Sequence, residues 1–179
     1  MANTGTSVAA TLPAPAWTRL LGKYLGCVAA TLVPIALLHF AGVTYLAIRW
    51  GDPAVVPLSL VAFLSLVVPP VFFVAAFALA CTTLLWTPLF QFLFVGYFLW
   101  NGLNPADPIP TLNNTLLSPT ENYVNTGIFH MTSPYQADAM RYPASSLALG
   151  LANIAALLAA GAVALTAAAW LQRWQASRQ

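Results

Sequence analysis

The chain alternates long apolar stretches with short polar ones, and one apolar stretch is much longer than a single membrane crossing. Between Asp52 and Asp107 there is no Asp, Glu, Lys or Arg. As one helix this stretch would be about 80 Å long at about 1.5 Å per residue, whereas the hydrocarbon core of a bilayer is about 30 Å thick. The pattern therefore predicts a hairpin that crosses a membrane twice.

The turn of this hairpin is predicted between residues 82 and 88, where three threonines interrupt the apolar run. That choice gives one span at residues 57–85 and a shorter one at residues 88–101. A turn at Pro69-Pro70 would leave the first span too short and the second too long, so the two prolines are placed inside the first. Because proline removes a backbone donor and clashes with the preceding turn, a kink is predicted there, either purely structural or a gating hinge.

Two further apolar segments predict spans at residues 25–48 and 146–170, which makes four in all. Residues 1–24 are predicted as a tail followed by a membrane-interface segment, in which aromatic and cationic side chains mix. Residues 102–145 are predicted as a long outer segment, and residues 171–179 as a tail. The expected fold class is an all-α integral membrane protein of four transmembrane helices, with a kinked second helix and a long extracytoplasmic segment before the last helix.

The basic residues predict the orientation. With four spans both termini lie on one side, which would hold four of the six basic residues, while the other side would hold two basic residues and all four acids. Since Lys and Arg concentrate on the cytoplasmic side, both termini are predicted to be cytoplasmic, in a bacterial plasma membrane. The outer segment is then extracytoplasmic, and residues 114–129 are expected to form short helices that lie on the membrane face or dip into it.

Composition excludes several classes of protein. The 179 residues are 60% hydrophobic and 6% charged, against about 25% charged in soluble domains. The net charge of +2, with no basic run interleaved with aromatic residues, gives no sign of a nucleic-acid site. Cys27 and Cys81 both lie in apolar segments and are interpreted as small packing residues without a disulfide or a metal.

His39 is the candidate functional residue, because an ionisable group inside a span is a functional hypothesis by default. It could ligate haem or relay protons. The other histidine, His130, lies in the outer segment, so a pair of histidines facing each other across two spans is not expected. We therefore expect no bound cofactor, and a neutral His39 hydrogen-bonded to a backbone carbonyl or a hydroxyl, as polar groups in spans usually are.

The last span carries alanine at every fourth position from Ala148 to Ala168. Small residues at this spacing let two helix backbones approach closely, so this span is expected to pack tightly against another helix. The partner is expected to be a second copy of the chain or another membrane subunit, since the few polar residues of four spans are too scattered to line a path alone.

Aromatic residues concentrate between Phe72 and Trp100. A pigment or quinone pocket is one interpretation, and contact with lipid and neighbouring helices is the other. The sequence shows no paired carboxylates in a span, no Ser/His/Asp arrangement, no phosphate-binding loop and no zinc spacing. The chain is therefore not expected to be an enzyme.

Two segments resemble the ABC-2 type transporter permeases. Residues 12–26, LPAPAWTRLLGKYLG, resemble the proline-containing interface segment of that family, with its G-K-Y/F-L-G-like step at Gly22–Gly26. Residues 67–89 resemble its proline-containing helix followed by a short cytoplasmic turn, with Trp86-Thr87 where the family often has basic residues. The chain would correspond to the last four of the family's six spans.

The resemblance implies a membrane subunit that exports a substrate together with a separate nucleotide-binding ATPase. The alternative is a non-catalytic accessory or anchor subunit of a larger respiratory or photosynthetic membrane complex, which needs only shape, lipid contact and helix docking. A third hypothesis is a haem-binding anchor that uses His39.

Overall fold

The computed structural model describes residues 16–82, 89–96, 112, 115–119, 122–130 and 145–176, and the regular elements in these ranges are all helical. The helices are α1 (Ala16–Trp50), α2 (Val55–Ala62), a π-helical turn (Phe63–Val67), α3 (Val68–Thr82), α4 (residues 89–96), α5 (Asn122–Gly127) and α6 (Leu147–Ala176). The π-helical turn joins α2 to α3 without a break.

Three helical stretches are long and apolar enough to cross a membrane: Trp17–Trp50, Val55–Thr82 and Leu147–Gln175. They correspond to the first, second and last predicted spans, which confirms for the described residues an all-helical fold with helices of membrane-spanning length and composition. The first stretch begins well before residue 25, so the described part of the interface segment belongs to the same helix as the span. Of the third predicted span, residues 89–96 are helical, and the remainder lies outside the described residues.

A tight turn joins α1 to α2. Gly51 has a φ of 67°, a left-handed conformation that favours glycine, and its N–H bonds to the carbonyl of Ala47 at 2.9 Å, which ends α1. The carboxylate of Asp52 then accepts the N–H of Ala54 at 2.9 Å, in a turn immediately before α2. These local bonds turn the chain back on itself, so α1 and α2 form an antiparallel pair.

A π-helical turn lies where the sequence predicts a proline kink. Pro69 and Pro70 have no N–H for the carbonyls four residues earlier, and their rings crowd those carbonyls. The turn just before them is widened, and the N–H of Val68 bonds to the carbonyl of Phe63, five residues back. The hydroxyl of Ser65 donates to the carbonyl of Val61 at 2.8 Å. A wider turn of this kind accommodates prolines within a membrane helix.

The core lies where α1, α3 and α6 meet. Ala76 of α3 is fully buried and clusters with Tyr24 and Val28 of α1. The hydroxyl of Tyr24 donates to the carbonyl of Phe72 at 3.2 Å, and the two rings meet edge to face. Further along, Leu20 clusters with Ala168 and Ala169 of α6 and with Ala80 of α3. The start of α1, the end of α3 and the end of α6 therefore lie at the same end of the molecule.

The small residues of the last span pack within the chain. A Cβ built on Gly161 would lie 3.5 Å from the Cα of Phe73 and 3.6 Å from the Cβ of Ala76, so α6 and α3 approach closely at this glycine. Ala168 is buried, whereas Ala156 and Ala160 are half-buried. The predicted close helix packing is present, and α3 of the same chain supplies a partner for it.

Candidate functional site

His39 pairs with Ser59 across the α1–α2 hairpin. His39 Nε2 and Ser59 Oγ lie 2.7 Å apart, within hydrogen-bond distance. His39 is about 16 Å from the end of α1 at about 1.5 Å per residue, far from either end of the span. The structure thus gives His39 a hydroxyl partner, one of the two kinds expected from the sequence.

Two phenylalanine rings contact the ring of His39. The ring of His39 lies 5.2 Å from that of Phe40 and 5.1 Å from that of Phe63, and the two phenylalanines lie 5.4 Å apart, all between centroids. Phe63 is buried and is the first residue of the π-helical turn. Ligation of a haem iron through Nε2 would have to break the bond to Ser59. Among the described residues no three His, Cys, Asp or Glu side chains come together as a metal site.

Asn153 is the second polar residue of interest, and it is buried. It lies about 9 Å into α6 at about 1.5 Å per residue and is 2% exposed. Its amide nitrogen donates to the carbonyl of Leu116 at 2.8 Å and to that of Ser118 at 3.1 Å. Residues 115–119 have no regular helical bonding of their own, so Asn153 satisfies two carbonyls that would otherwise be costly to bury.

Two glycines let the short helix α5 approach α6. A Cβ on Gly127 would lie only 2.5 Å from the carbonyl oxygen of Ser146, and one on Gly150 would lie 3.0 Å from Ile128 Cγ1 and 3.1 Å from the carbonyl oxygen of Tyr123. The hydroxyl of Ser145 donates to that same carbonyl at 2.9 Å. The expected short helix within residues 114–129 is therefore present, and it is fixed to the start of the last span.

Residues 115–119, which belong to the predicted outer segment, pack beside the long helices. Pro119 shares a groove with Thr31 of α1 and Pro70 of α3. Pro70 lies about 22 Å from the start of α2, and Thr31 about 28 Å from the end of α1, at about 1.5 Å per residue. Residues 115–119 thus reach the middle of the two long helices.

This groove, of about 500 Å³, runs between α1 and α3. Its walls are mostly aliphatic, with Cys27 and Thr31 from α1 and residues from Pro70 to Thr82 from α3. Cys27 and Cys81 are both free thiols, and Cys27 is exposed to the groove.

Most hydroxyl groups described in the long helices bond to their own backbone. Each donates to a carbonyl three or four residues earlier, at 2.7 to 3.0 Å: Thr31, Thr44, Ser65, Thr82 and Thr166. A hydroxyl bound in this way is satisfied without a partner helix. Thr31, Thr44, Ser65 and Thr82 are among the few polar residues of the spans from which a polar path would have to be built.

Four of the described aromatic rings in this cluster pack on one another, whereas Phe92 is exposed. The rings of Phe73 and Phe77 are stacked at 6.0 Å, Phe77 is stacked on Phe94 of α4 at 6.4 Å, and Phe94 lies 5.1 Å from Phe90. These ring contacts join α4 to α3, as expected if the aromatic cluster serves helix packing. Trp86, together with the residues from 97 to 100, lies outside the described residues.

Sequence reasoning singled out His39 but not its partner Ser59, and it did not single out Asn153. Equal spacing from the turn at Gly51 and Asp52 would place Ser65, not Ser59, opposite His39, so the sequence signal for this pair was misleading. The sequence gives no signal that pairs Asn153 with the carbonyls of residues 116 and 118. Every residue has a backbone carbonyl, so the sequence does not show which of them will accept a hydrogen bond from a side chain.

Comparisons of this chain with protein-family models, with curated proteins and with solved structures find no match.

Proposed function

We propose that this chain is a non-catalytic membrane subunit that works only within a complex of membrane chains. The observation that carries this proposal is the way in which the polar side chains of the long helices are used. Five hydroxyls bond to their own helices, and His39 and Asn153 bond to partners within the chain. A conduction path needs polar groups directed at a shared cavity, whereas these groups bond within the chain.

An accessory or anchor subunit of a larger respiratory or photosynthetic complex fits this use of polar groups best. Such a subunit presents apolar helix surfaces to lipid and to its neighbours. Several large apolar side chains of α1 are more than half exposed, including Leu37, Leu38 and Ile48. Within a bilayer these surfaces are in contact with lipid or with another chain.

The second candidate is the membrane subunit of an ABC-2 type export permease that works with a separate ATPase. The resemblance of residues 12–26 and 67–89 to that family favours it. In the structure the Gly22–Gly26 step lies inside α1, where Tyr24 contacts Phe72. This candidate requires an ATPase partner and further membrane chains to complete a substrate path.

The same proposal includes a membrane topology. It has four spans, a bend of the second span at Pro69-Pro70, and both termini in the cytoplasm. Single cysteines at Ser7, Asn114 and Ser177, in a background without Cys27 and Cys81, test it by labelling with a membrane-impermeant maleimide. Ser7→Cys and Ser177→Cys should react only from the cytoplasmic side. Reaction of Asn114→Cys from that side alone would refute the arrangement.

Purification from native membranes distinguishes the two candidates. The tagged chain is extracted in mild detergent, and the copurifying chains are identified by mass spectrometry. An ATPase present in stoichiometric amount supports the export permease, and membrane subunits without an ATPase support the accessory role. If the chain copurifies with nothing and is still active in vesicles, both candidates are wrong. An absorption spectrum of the same sample tests the haem hypothesis.

A further inference from the structure

We propose that the groove between α1 and α3 binds one acyl chain of an anionic phospholipid, whose phosphate contacts Lys23. The groove has about 500 Å³ of space, within the range of about 300 to 1,000 Å³ typical of ligand sites. Its walls include Val71, Val74, Ala78 and Leu79, an aliphatic surface suited to a hydrocarbon chain.

The length and direction of the groove match one leaflet of a bilayer. From Pro70 to Thr82 the helix rises about 18 Å, and half of the hydrocarbon core measures about 15 Å. Pro119 lies at the inner part of the groove, beside Thr31 and Pro70. Thr82 lines its outer part, at the end of α3. The groove therefore runs from the end of a span to about its middle, as the chain of a lipid in one leaflet does.

Lys23 lies on the helix face that forms the groove. Lys23, Cys27 and Thr31 are four residues apart, so they stand above one another on α1, and the last two line the groove. The side chain of Lys23 is exposed, one turn beyond Cys27 toward the outer end. A lysine here can keep its ammonium group at the membrane surface while its methylene groups lie along the apolar wall.

The charge at this end of the molecule favours an anionic headgroup. Because Leu20 clusters with Ala168 and Ala80, the start of α1 and the end of α6 lie together. Lys23 and Arg173 are exposed there, while Asp52 lies at the opposite end of α1. Basic groups near a membrane surface attract the phosphates of anionic lipids, and lysine binds a phosphate as a compact point charge.

Native mass spectrometry with added lipid tests the proposal. The purified full chain is titrated with dioleoylphosphatidylglycerol and, separately, with dioleoylglycerol, which lacks the phosphate. The wild-type chain should bind one phosphatidylglycerol, and should bind it more tightly than dioleoylglycerol. Ala78→Phe, which fills the groove, should weaken binding of both lipids at least tenfold. Ala29→Phe is the control, because Ala29 is exposed on α1 and does not line the groove.

The charge contribution is tested separately. Lys23→Gln should weaken binding of phosphatidylglycerol about fivefold, the equivalent of about 1 kcal/mol, and leave binding of dioleoylglycerol unchanged. Arg49→Gln removes the same charge from the opposite end of α1 and should have no such effect. Since Lys23 is exposed, this variant remains informative even if Ala78→Phe does not fold, which its helical circular dichroism would reveal.

Three results would overturn the proposal. In the first, Ala78→Phe binds phosphatidylglycerol as tightly as the wild type. In the second, Lys23→Gln and Arg49→Gln weaken binding of phosphatidylglycerol equally, which would indicate non-specific electrostatic attraction and not a binding site at Lys23. In the third, the wild type is a dimer that Ala78→Phe dissociates, which would show that a second copy of the chain occupies the groove.

Discussion

Among single residues, His39 has the clearest physical role, since its bond to Ser59 joins the two helices of the hairpin. His39→Leu and Ser59→Ala should each lower the free energy of unfolding in mixed micelles by about 1 kcal/mol. A double-mutant cycle should give a coupling of about 0.6 kcal/mol, the average for side-chain bonds between membrane helices. Thr44→Val is the matched control, because the Thr44 hydroxyl bonds to the carbonyl of Phe40 in its own helix, and it should show no coupling with His39→Leu.

The same variant tests the cofactor hypothesis. If His39 is structural, His39→Leu leaves the visible absorption of the purified complex unchanged. Loss of a visible band in His39→Leu, with the band retained in Ser59→Ala, would instead identify His39 as a ligand.

Gly127 gives a steric prediction on the same scale. A Cβ at this position would lie 2.5 Å from a backbone oxygen, so Gly127→Ala must move α5 away from the start of α6. A cost of about 1 to 3 kcal/mol is expected, as for other overpacked sites. Gly161→Ala is the control, because its new methyl group would meet its neighbours at 3.5 Å or more and should change the free energy of unfolding little. Equal effects of the two substitutions would contradict this account.

Among the elements, the docking of residues 115–119 depends on Asn153. Asn153→Leu removes the donor for two carbonyls and should release this segment from α6, at a cost of about 1 to 3 kcal/mol. Ser118 is 1% exposed, so a cysteine placed there reports the release. With Cys27 and Cys81 replaced, Ser118→Cys should react slowly with a maleimide, and much faster once Asn153→Leu is added. Thr166→Val, whose hydroxyl bonds within α6, should leave that rate unchanged; equally slow labelling with and without Asn153→Leu would refute the role of Asn153.

The long helices could be predicted from the sequence because a membrane fixes both their length and their composition. The stretch without charges after Asp52 was enough to place the second span, and Pro69-Pro70 marked the position of the backbone irregularity. Its form, a π-helical turn, could not be predicted, because proline specifies only which hydrogen bonds are lost. The packing of the outer segment onto α6 was also beyond prediction, since it depends on backbone carbonyls and on glycines whose neighbours are distant in sequence.

On the scale of the whole molecule, the described part is a bundle in which α3 is the central helix. It contacts α1 through Phe72 and Ala76, and α6 through the close approach at Gly161. Much of α1 is apolar and exposed, and α6 also has an exposed small-residue surface that includes Ala155 and Ala159. Ala156 and Ala160, which belong to the alanines at every fourth position of this helix, are half-buried within the chain. Leu at those two positions would therefore disturb α6 packing as well as any contact with a partner.

The most direct test of the central claim, that this chain works only within a membrane complex, is its mass after extraction from native membranes. Light scattering coupled to size-exclusion chromatography in mild detergent gives the protein mass without the detergent. We expect a mass well above the 19.1 kDa of one chain, reduced when Ala155 and Ala159 are both replaced by Leu, because bulky side chains would hold the helices apart. A particle of 19.1 kDa that copurifies with no other chain and retains its activity in vesicles would contradict the claim.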